Sequence, residues 1–327
     1  MRTVRVRAPT RIDLGGGWTD VPPYCNEEGG FVCNIAITRY AVATVRASET
    51  YRALGAAAPD AAHADPLIGA TLRRSGMLDV ELSLINDFPV SAGLGGSSAA
   101  SAALIGALAR WRGIEWNLAD IAEEGRRIEV EEMGIAGGRQ DHYAATHGGA
   151  LALTFTDAVQ VRRLTISSGM QAEFERRALL VYTGESRVSG STITAVLDAW
   201  RAGDAGVVDA LKAMKALARL MADALEAGGL DELGGLLAEH WAHQRSLHPA
   251  IPTPHIDEII MRAQSAGAIG WKAMGASGGG CVLVLCDVGG VDAVRAAIAP
   301  LGTPIPFAID YVGLAEQVDP SVATSGS

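Results

Sequence analysis

One stretch limits the folding options of this chain more than any other: Pro89-Val-Ser-Ala-Gly-Leu-Gly-Gly-Ser-Ser98, running straight into the alanine-rich segment 99–109. A strand-like run at 78–85 precedes it, and helical periodicity over 98–111 follows. Glycines let the backbone approach a ligand closely, and the first amides of the helix point outward at its positive dipole end. Ser97 and Ser98 add hydroxyls suited to capping the helix, touching phosphate or binding Mg²⁺. Two familiar loops are excluded by spacing. A dinucleotide fingerprint needs glycine or alanine where Ser98 stands, and a Walker A loop needs a lysine that is absent here. The loop is phosphate-competent but of neither common type; a plain turn with a serine cap is the competing reading of the loop alone.

Charge makes that local device necessary. With 27 Lys+Arg against 37 Asp+Glu, the formal net charge is -10. A field of that sign does not draw in nucleic acid or an anionic membrane, so an anionic ligand must be met by backbone amides, a helix end or a metal. The N-terminus has charge without an apolar core segment, and the apolar run 99–109 is broken by Ser101 and Gly106. Neither a signal peptide nor a membrane span is read, and the expected location is the cytoplasm. Cys25, Cys33, Cys281 and Cys286 form no C-x-x-C pair, and three of them sit in strand-like runs that favour buried thiols. His240 and His243 share a helical face, with His248 and His255 beyond. Without matching cysteine or carboxylate spacing they read as an ordinary helix rather than a zinc site.

Strands are expected at 3–7, 30–37, 40–46 and 78–85, then helices at 98–111 and 118–133. Strands follow at 150–155, 159–164 and 178–182. Helices dominate from 189 to 266, in segments 189–201, 205–227, 230–247 and 254–266, punctuated by Gly228-Gly229 and the prolines of 249–254. Strands return at 271–274 and 281–286, and a helix at 290–299 and a strand near 305–309 close the pattern. The order argues for α+β, with a boundary in 155–180. Residues 56–64 read as a loop and 321–327 as a disordered tail.

Two further glycine clusters bear on chemistry. Gly275-Ala-Ser-Gly-Gly-Gly280 formally fits the G-x-S-x-G of a hydrolase nucleophile elbow, but it runs into the strand-like Cys281–Cys286 instead of a helix. A Ser277 nucleophile is therefore disfavoured, and backbone passing close to a ligand or to the first loop is the better reading. In Arg11-Ile-Asp-Leu-Gly-Gly-Gly-Trp-Thr-Asp20 a strand delivers a cation, glycines turn the chain and a carboxylate follows. Alone, it also reads as a decorated turn.

Taken in order, the segments 8–20, 89–100 and 275–280 resemble the three motifs of the GHMP kinase superfamily. Gly138-Arg-Gln-Asp141-His-Tyr-Ala-Ala and the stretch 246–275 are similar to its anomeric sugar kinase branch, which acts on heptose phosphates and fucose. The resemblance implies an α+β, two-domain fold: an N-terminal ATP-binding domain of ribosomal S5 domain 2-like type at 1–165, and a ferredoxin-like C-terminal domain with extra helices at 166–320. It implies ATP and Mg²⁺ as cofactors and a small sugar as partner, and it is compatible with a homodimer.

It also implies roles. Gly93, Leu94, Gly95, Gly96, Ser97 and Ser98 would hold the ATP phosphates. Ser98 and a helix glutamate would bind Mg²⁺; Glu129 fits that place best, with Glu131 and Glu132 close enough to be confused with it. Asp141 matches the catalytic aspartate, and Arg11 the cation that keeps it ionised or neutralises the transferring phosphoryl. Gly17, Trp18, Thr19, Asp20, Gly275 and Arg187 fall on the acceptor side, Arg187 being equally readable as a surface or capping residue. Trp18 fits the fucokinase version of the first motif, whereas the later chain fits D-glycero-D-manno-heptose 7-phosphate. Ser277 stands where alanine or glycine is usual. Competing functions are a non-catalytic sugar-sensing relative, a small-molecule decarboxylase and a non-sugar kinase of the same superfamily.

Overall fold

The computed structural model describes residues 2–48, 65–77, 79–185 and 190–317. The loop expected at 56–64, Arg187 and the tail 321–327 lie outside them. Two antiparallel sheets carry the molecule. In the first, β1 (Thr3–Gly15) and β2 (Gly30–Ala47) form a long central pair. β3 (Val80–Asn86) and β4 (Ala150–Phe155) both pair with β2, and β5 (Val159–Arg163) pairs with β4. In the second, the order is β7 (Ala268–Ala273), β8 (Cys281–Cys286), β6 (Ala178–Tyr182) and β9 (Thr303–Pro304).

Alternation along β1 stops at Ala8, beyond which every residue to Gly15 is buried. The strand is covered on both faces there, so the alternating pattern that marks a half-exposed strand is lost. The expected strand 3–7 is therefore the visible part of a longer one that reaches Arg11 and Asp13. The expected strands 30–37 and 40–46 are a single strand, β2. A register shift between Pro9 and Thr10 on its partner falls opposite the apparent break.

Helices fill the faces. α1 (Tyr24–Glu28) is one short turn, and α2 (Pro66–Ser75) is capped by Asp65. α3 (Gly96–Arg112) lies on β1 and β2 and ends in the left-handed Gly113. Its buried residues are mostly small, alanines with Gly106, Ser98 and Ser101 beside Leu104 and Leu108, so backbone and sheet pack closely. α4 (Leu118–Arg127) is capped by Asn117 and passes into a π-helical turn, Ile128–Glu132, where the sequence pattern predicts continuous α-helix to 133. α5 (Gln140–His147) follows, then α6 (Ser168–Arg177), α7 (Gly190–Arg201), α8 (Ala205–Ala227), α9 (Leu230–Ser246), α10 (Pro254–Ser265) and α11 (Val291–Ile298).

The sheets share one core. Ile12, Leu14 and Ile35 of the first cluster with Leu217 and Met221 of α8, Leu233 and Leu237 of α9, and Cys281, Leu283 and Leu285 of the second. The chain also returns to its start. Ile309 forms an isolated bridge with Ile37 in place of the strand expected at 305–309, and β10 (Ala315–Glu316) adds to the edge of β1. The last residues of the part assigned by sequence to the C-terminal domain thus belong to the first sheet. No described helix is long and apolar enough to cross a membrane.

Candidate active site

Where the two sheets meet, a cavity of about 790 Å³ opens. Its walls are the glycine loop before α3, the end of β1, the start of α5, the β7–β8 connection and the first turn of α7.

Arg11 organises the centre. Delivered by β1 and almost fully buried, its guanidinium forks onto Asp141, Nε to Oδ1 at 2.8 Å and Nη2 to Oδ2 at 2.9 Å. Its third nitrogen, Nη1, donates to the Gly93 carbonyl at 2.6 Å, and its backbone N–H donates to Leu94 O at 3.0 Å. One residue thereby joins the first sheet, the glycine loop and α5. Burial pushes the Asp141 carboxyl above its ordinary value, with Arg11 pulling the other way. Burial outweighs the arginine, whose own pull is toward the ionised form, the direction expected of it. A carboxyl shifted upward in this way takes a proton more readily than a free aspartate does.

The loop itself depends on glycine. Gly93 and Gly95 are left-handed, with φ of 75° and 71°. A Cβ on Gly95 would lie 3.0 Å from the Asp141 carboxylate. A Cβ on Gly93 would lie 2.7 Å from Met274 O, and one on Gly275 would lie 2.9 Å from Gly93 Cα. The third glycine cluster therefore supports the first loop, backbone against backbone, reinforced by Cys281 N–H donating to Ala92 O at 2.8 Å. Leu94 contributes only backbone to the cradle, its side chain being core.

Ser97 Oγ donates to Glu129 Oε1, and Ser98 Oγ lies 3.4 Å from the same oxygen. Glu129 is buried, whereas Glu131 and Glu132 turn outward toward Arg74 at 2.9 and 3.6 Å. Among the three glutamates, only Glu129 faces the loop. Glu129 follows Gly125 and Ala122 at ordinary helical spacing, on the buried face that the helix carries through Ile121, Ala122 and Gly125, and so points inward with Ile128. Burial raises the Glu129 carboxyl, but His142, with Nε2 at 3.3 Å, and the two serines outweigh it, so the net shift is downward.

Asp20 is buried and accepts from the Arg139 and Gln140 N–H groups at 2.8 and 2.9 Å, capping the start of α5. A Cβ on Gly138 would stand 1.9 Å from that carboxylate, which is why glycine precedes the helix. Burial pushes the Asp20 carboxyl up to about 6, opposed by the Gln140 amide and assisted by Asp141. Trp18 and Gly17 line the cavity beside it. Trp18 takes a left-handed backbone and packs into the cluster of Tyr24 and Trp200. Thr19, expected on the acceptor side, is instead fully buried. Its Oγ1 donates to Gly16 O at 2.7 Å and accepts from Phe31 N–H at 3.2 Å, so it staples the turn and has no face toward the cavity.

Sequence reasoning missed several groups. Lys272 of β7 is fully buried and donates to Asp13 O at 2.8 Å and Asp13 Oδ2 at 2.9 Å, directly beneath Arg11. A lone lysine and a lone aspartate 259 residues apart carry no local signal of this. His240 is buried and accepts the Gly16 N–H through Nε2 at 2.9 Å. Burial and Lys272 bring it down to about 3, so it is neutral.

Residues 62–149 match the model of the GHMP kinases N terminal domain and residues 221–300 that of the GHMP kinases C terminal, about half of the chain together. The chain is 28% identical over 311 residues to a D-glycero-alpha-D-manno-heptose 7-phosphate kinase of Campylobacter jejuni, covering 88% of this chain and 90% of that one. It is 28% identical over 323 residues to a bifunctional fucokinase/GDP-fucose pyrophosphorylase of Arabidopsis thaliana, covering 87% of this chain but 30% of that protein, so it spans under a third of that relative's length. In fold it is similar to a D-glycero-D-manno-heptose 1-phosphate kinase from Bacteroides thetaiotaomicron, with a TM-score of 0.77, 24% identity, and coverage of 97% of this chain and 99% of the other.

Proposed function

The chain belongs to the GHMP kinases, and from that premise we propose that it transfers the γ-phosphoryl of ATP to the anomeric hydroxyl of a sugar, D-glycero-D-manno-heptose 7-phosphate or a close relative. The observation that carries the reading is the Arg11–Asp141 fork, set against the glycine loop inside the cavity. Phosphoryl transfer needs a cradled triphosphate, charge neutralisation and an oriented nucleophile. The amides at the start of α3 meet the first need, on a loop whose Gly93, Gly95 and Gly96 let it pack tightly against Met274, Asp141 and Phe88. Arg11 meets the second.

Asp141 meets the third by accepting the proton of the attacking hydroxyl. The freed oxygen bonds to the γ-phosphorus, and the bond from that phosphorus to the bridging oxygen breaks, its electrons leaving with ADP. The Ser98 hydroxyl and the Glu129 carboxylate are hard oxygen donors of the type Mg²⁺ takes, and they converge at the loop. When bound, Mg²⁺ would neutralise phosphate charge. Asp20, Trp18 and Gly17 then face the acceptor.

The similarity to the Campylobacter jejuni protein over nearly the whole of both chains favours the heptose phosphate. Trp18, lining the cavity, favours L-fucose as the second reading. The test is ADP release measured with heptose 7-phosphate, fucose, galactose, mannose and mevalonate, with Asp141→Asn as control. Turnover of a sugar, lost by at least ~10³-fold in Asp141→Asn while ATP still binds, is the expected result. Turnover of mevalonate alone would refute the sugar reading, and an unimpaired Asp141→Asn would remove Asp141 from the chemistry.

A further inference from the structure

Gln140 opens α5 one residue before Asp141, and only 5% of it is exposed. Its main chain is committed, since its N–H donates to the Asp20 carboxylate at 2.9 Å. Half of its side-chain amide is committed too: Oε1 accepts from Asn34 Nδ2 of β2 at 3.3 Å. The other half is not. Nε2 carries two N–H donors, and neither meets an acceptor among the described residues. A polar group this deep and this rigidly tied is ordinarily satisfied.

The nitrogen is also within reach of a ligand. Two unpartnered oxygens nearby, Asn34 Oδ1 and Asp13 Oδ1, are shielded from solvent, whereas Gln140 Nε2 is not, and Gln140 lines the cavity. Gly17 keeps it uncovered. A Cβ on Gly17 would stand 2.9 Å from Gln140 Nε2 and 2.4 Å from Asp13 Oδ2, so any side chain there would crowd the amide. The carboxylate bordering the same spot also favours the amide nitrogen over its oxygen on this side.

The surroundings select the kind of group that binds. Gln140 shares its wall of the cavity with Asp13, Gly17 and Asp20, and it is peptide-bonded to Asp141. Ser97, Ser98 and Glu129 gather instead at the loop before α3. Among three carboxyl groups, an uncharged amide suits a neutral hydroxyl better than a phosphate oxygen, because a hydroxyl accepts from the amide and donates to a carboxylate at once. We propose that Gln140 Nε2 donates a hydrogen bond to a hydroxyl of the bound acceptor other than the one that attacks, making Gln140 a specificity-determining residue. The proposal rests on the kinase reading above and assigns one polar contact of its acceptor site.

The test pairs Gln140→Met, unbranched and of similar length, with deoxy analogues of the acceptor that wild type turns over, each lacking one non-attacking hydroxyl. Wild type is expected to prefer the parent over one analogue by at least about tenfold in kcat/KM. Gln140→Met should lose about tenfold on the parent, chiefly in KM, yet stay within about twofold of wild type on that one analogue, with the KM for ATP and the calorimetric affinity for Mg·ADP unchanged. A merely structural role would instead lower the parent and every analogue alike, and that result overturns the proposal. So does an unimpaired parent reaction, or a loss that falls on ATP. Because Gln140→Met leaves Asn34 without its partner, the Asn34→Leu, Gln140→Met double variant, with both polar groups replaced by apolar ones, carries the same comparison should the single variant not fold. If wild type acts only on a non-sugar acceptor, the sugar reading fails while Gln140 is judged on that acceptor and its deoxy analogues. Wild type inert on every acceptor overturns both.

Discussion

Asp20 holds a charge the fold would rather do without. Burial lifts its carboxyl to about 6, well above the 3.8 of a free aspartate, although two α5 amides already bond to it. The folded protein thus keeps this proton to a higher pH than the unfolded chain does. As pH rises from about 4 to 6 the unfolded state ionises first, and folding stability falls by up to ~3 kcal/mol from this group. Asparagine would still accept from Arg139 and Gln140 while carrying no charge. Asp20→Asn is expected to stabilise the protein by about 1–3 kcal/mol at pH 7 and by nothing near pH 4, read from denaturant unfolding at the two pH values. A constant difference across that range would show that the charge is not the cause. Asp20, Asp141 and Arg11 were legible through the family resemblance of the contiguous motifs they sit in; residue type alone left them as parts of a turn or a cap. Thr19 sits in the same motif, yet its side chain turns to Phe31; which way a side chain leaves a turn is decided by the backbone and not by its neighbours in sequence.

At the scale of elements, the loop before α3 and the start of α5 are built to nearly touch. Gly95 is the left-handed cap of α3, and Asp141 opens α5 opposite it. Alanine at 95 would meet the carboxylate at about 3.0 Å and carry the left-handed penalty of ~1–2 kcal/mol. Since Arg11 pins Asp141, the strain must displace either the loop or Asp141. Gly95→Ala is expected to lower kcat by roughly 10²-fold, a cost typical of sub-ångström to 1 Å misplacement. Gly235→Ala, on the exposed face of α9 with no heavy atom within 4 Å of the added carbon, is the matched control and should leave kcat alone. Equal effects would point to a general loss of folding. The elements themselves were readable where one face is exposed. They were misread where the signal is symmetric or the register slips. β1 beyond Ala8 is buried on both faces, the bulge opposite β2 looks like a strand break, and the π turn is invisible to a 3.6-residue period. Glu129 and Glu132 both fall at helical spacing from Gly125, so the period alone does not separate them.

Across the whole molecule, Lys272 and Asp13 tie the second sheet to the first beneath the site. Burial raises the Asp13 carboxyl, but Lys272 and Arg11 more than offset it and hold it below the usual carboxylate range. Burial lowers the Lys272 amine in turn, so each partner is charged at the expense of its own solvation. Such a pair adds little net stability, whereas a lone survivor is a buried, uncompensated charge. The asymmetry is testable. Lys272→Met should cost about 3–5 kcal/mol, with the apparent pKa of Asp13 rising because its principal cation is gone. In the Asp13→Asn, Lys272→Met double variant no charge remains, and most of that loss should return in denaturant unfolding. If the pair serves the site by fixing how the sheets meet, the double variant should fold nearly as well as wild type yet show a lower kcat, because Arg11, two residues before Asp13 on β1, would lose the anchor that aims it at Asp141. Additive destabilisation in the double variant would mean that the two charges do not compensate each other. Recovery of both stability and kcat would mean that the shared core of Ile12, Leu14 and Leu283 aligns the sheets without them.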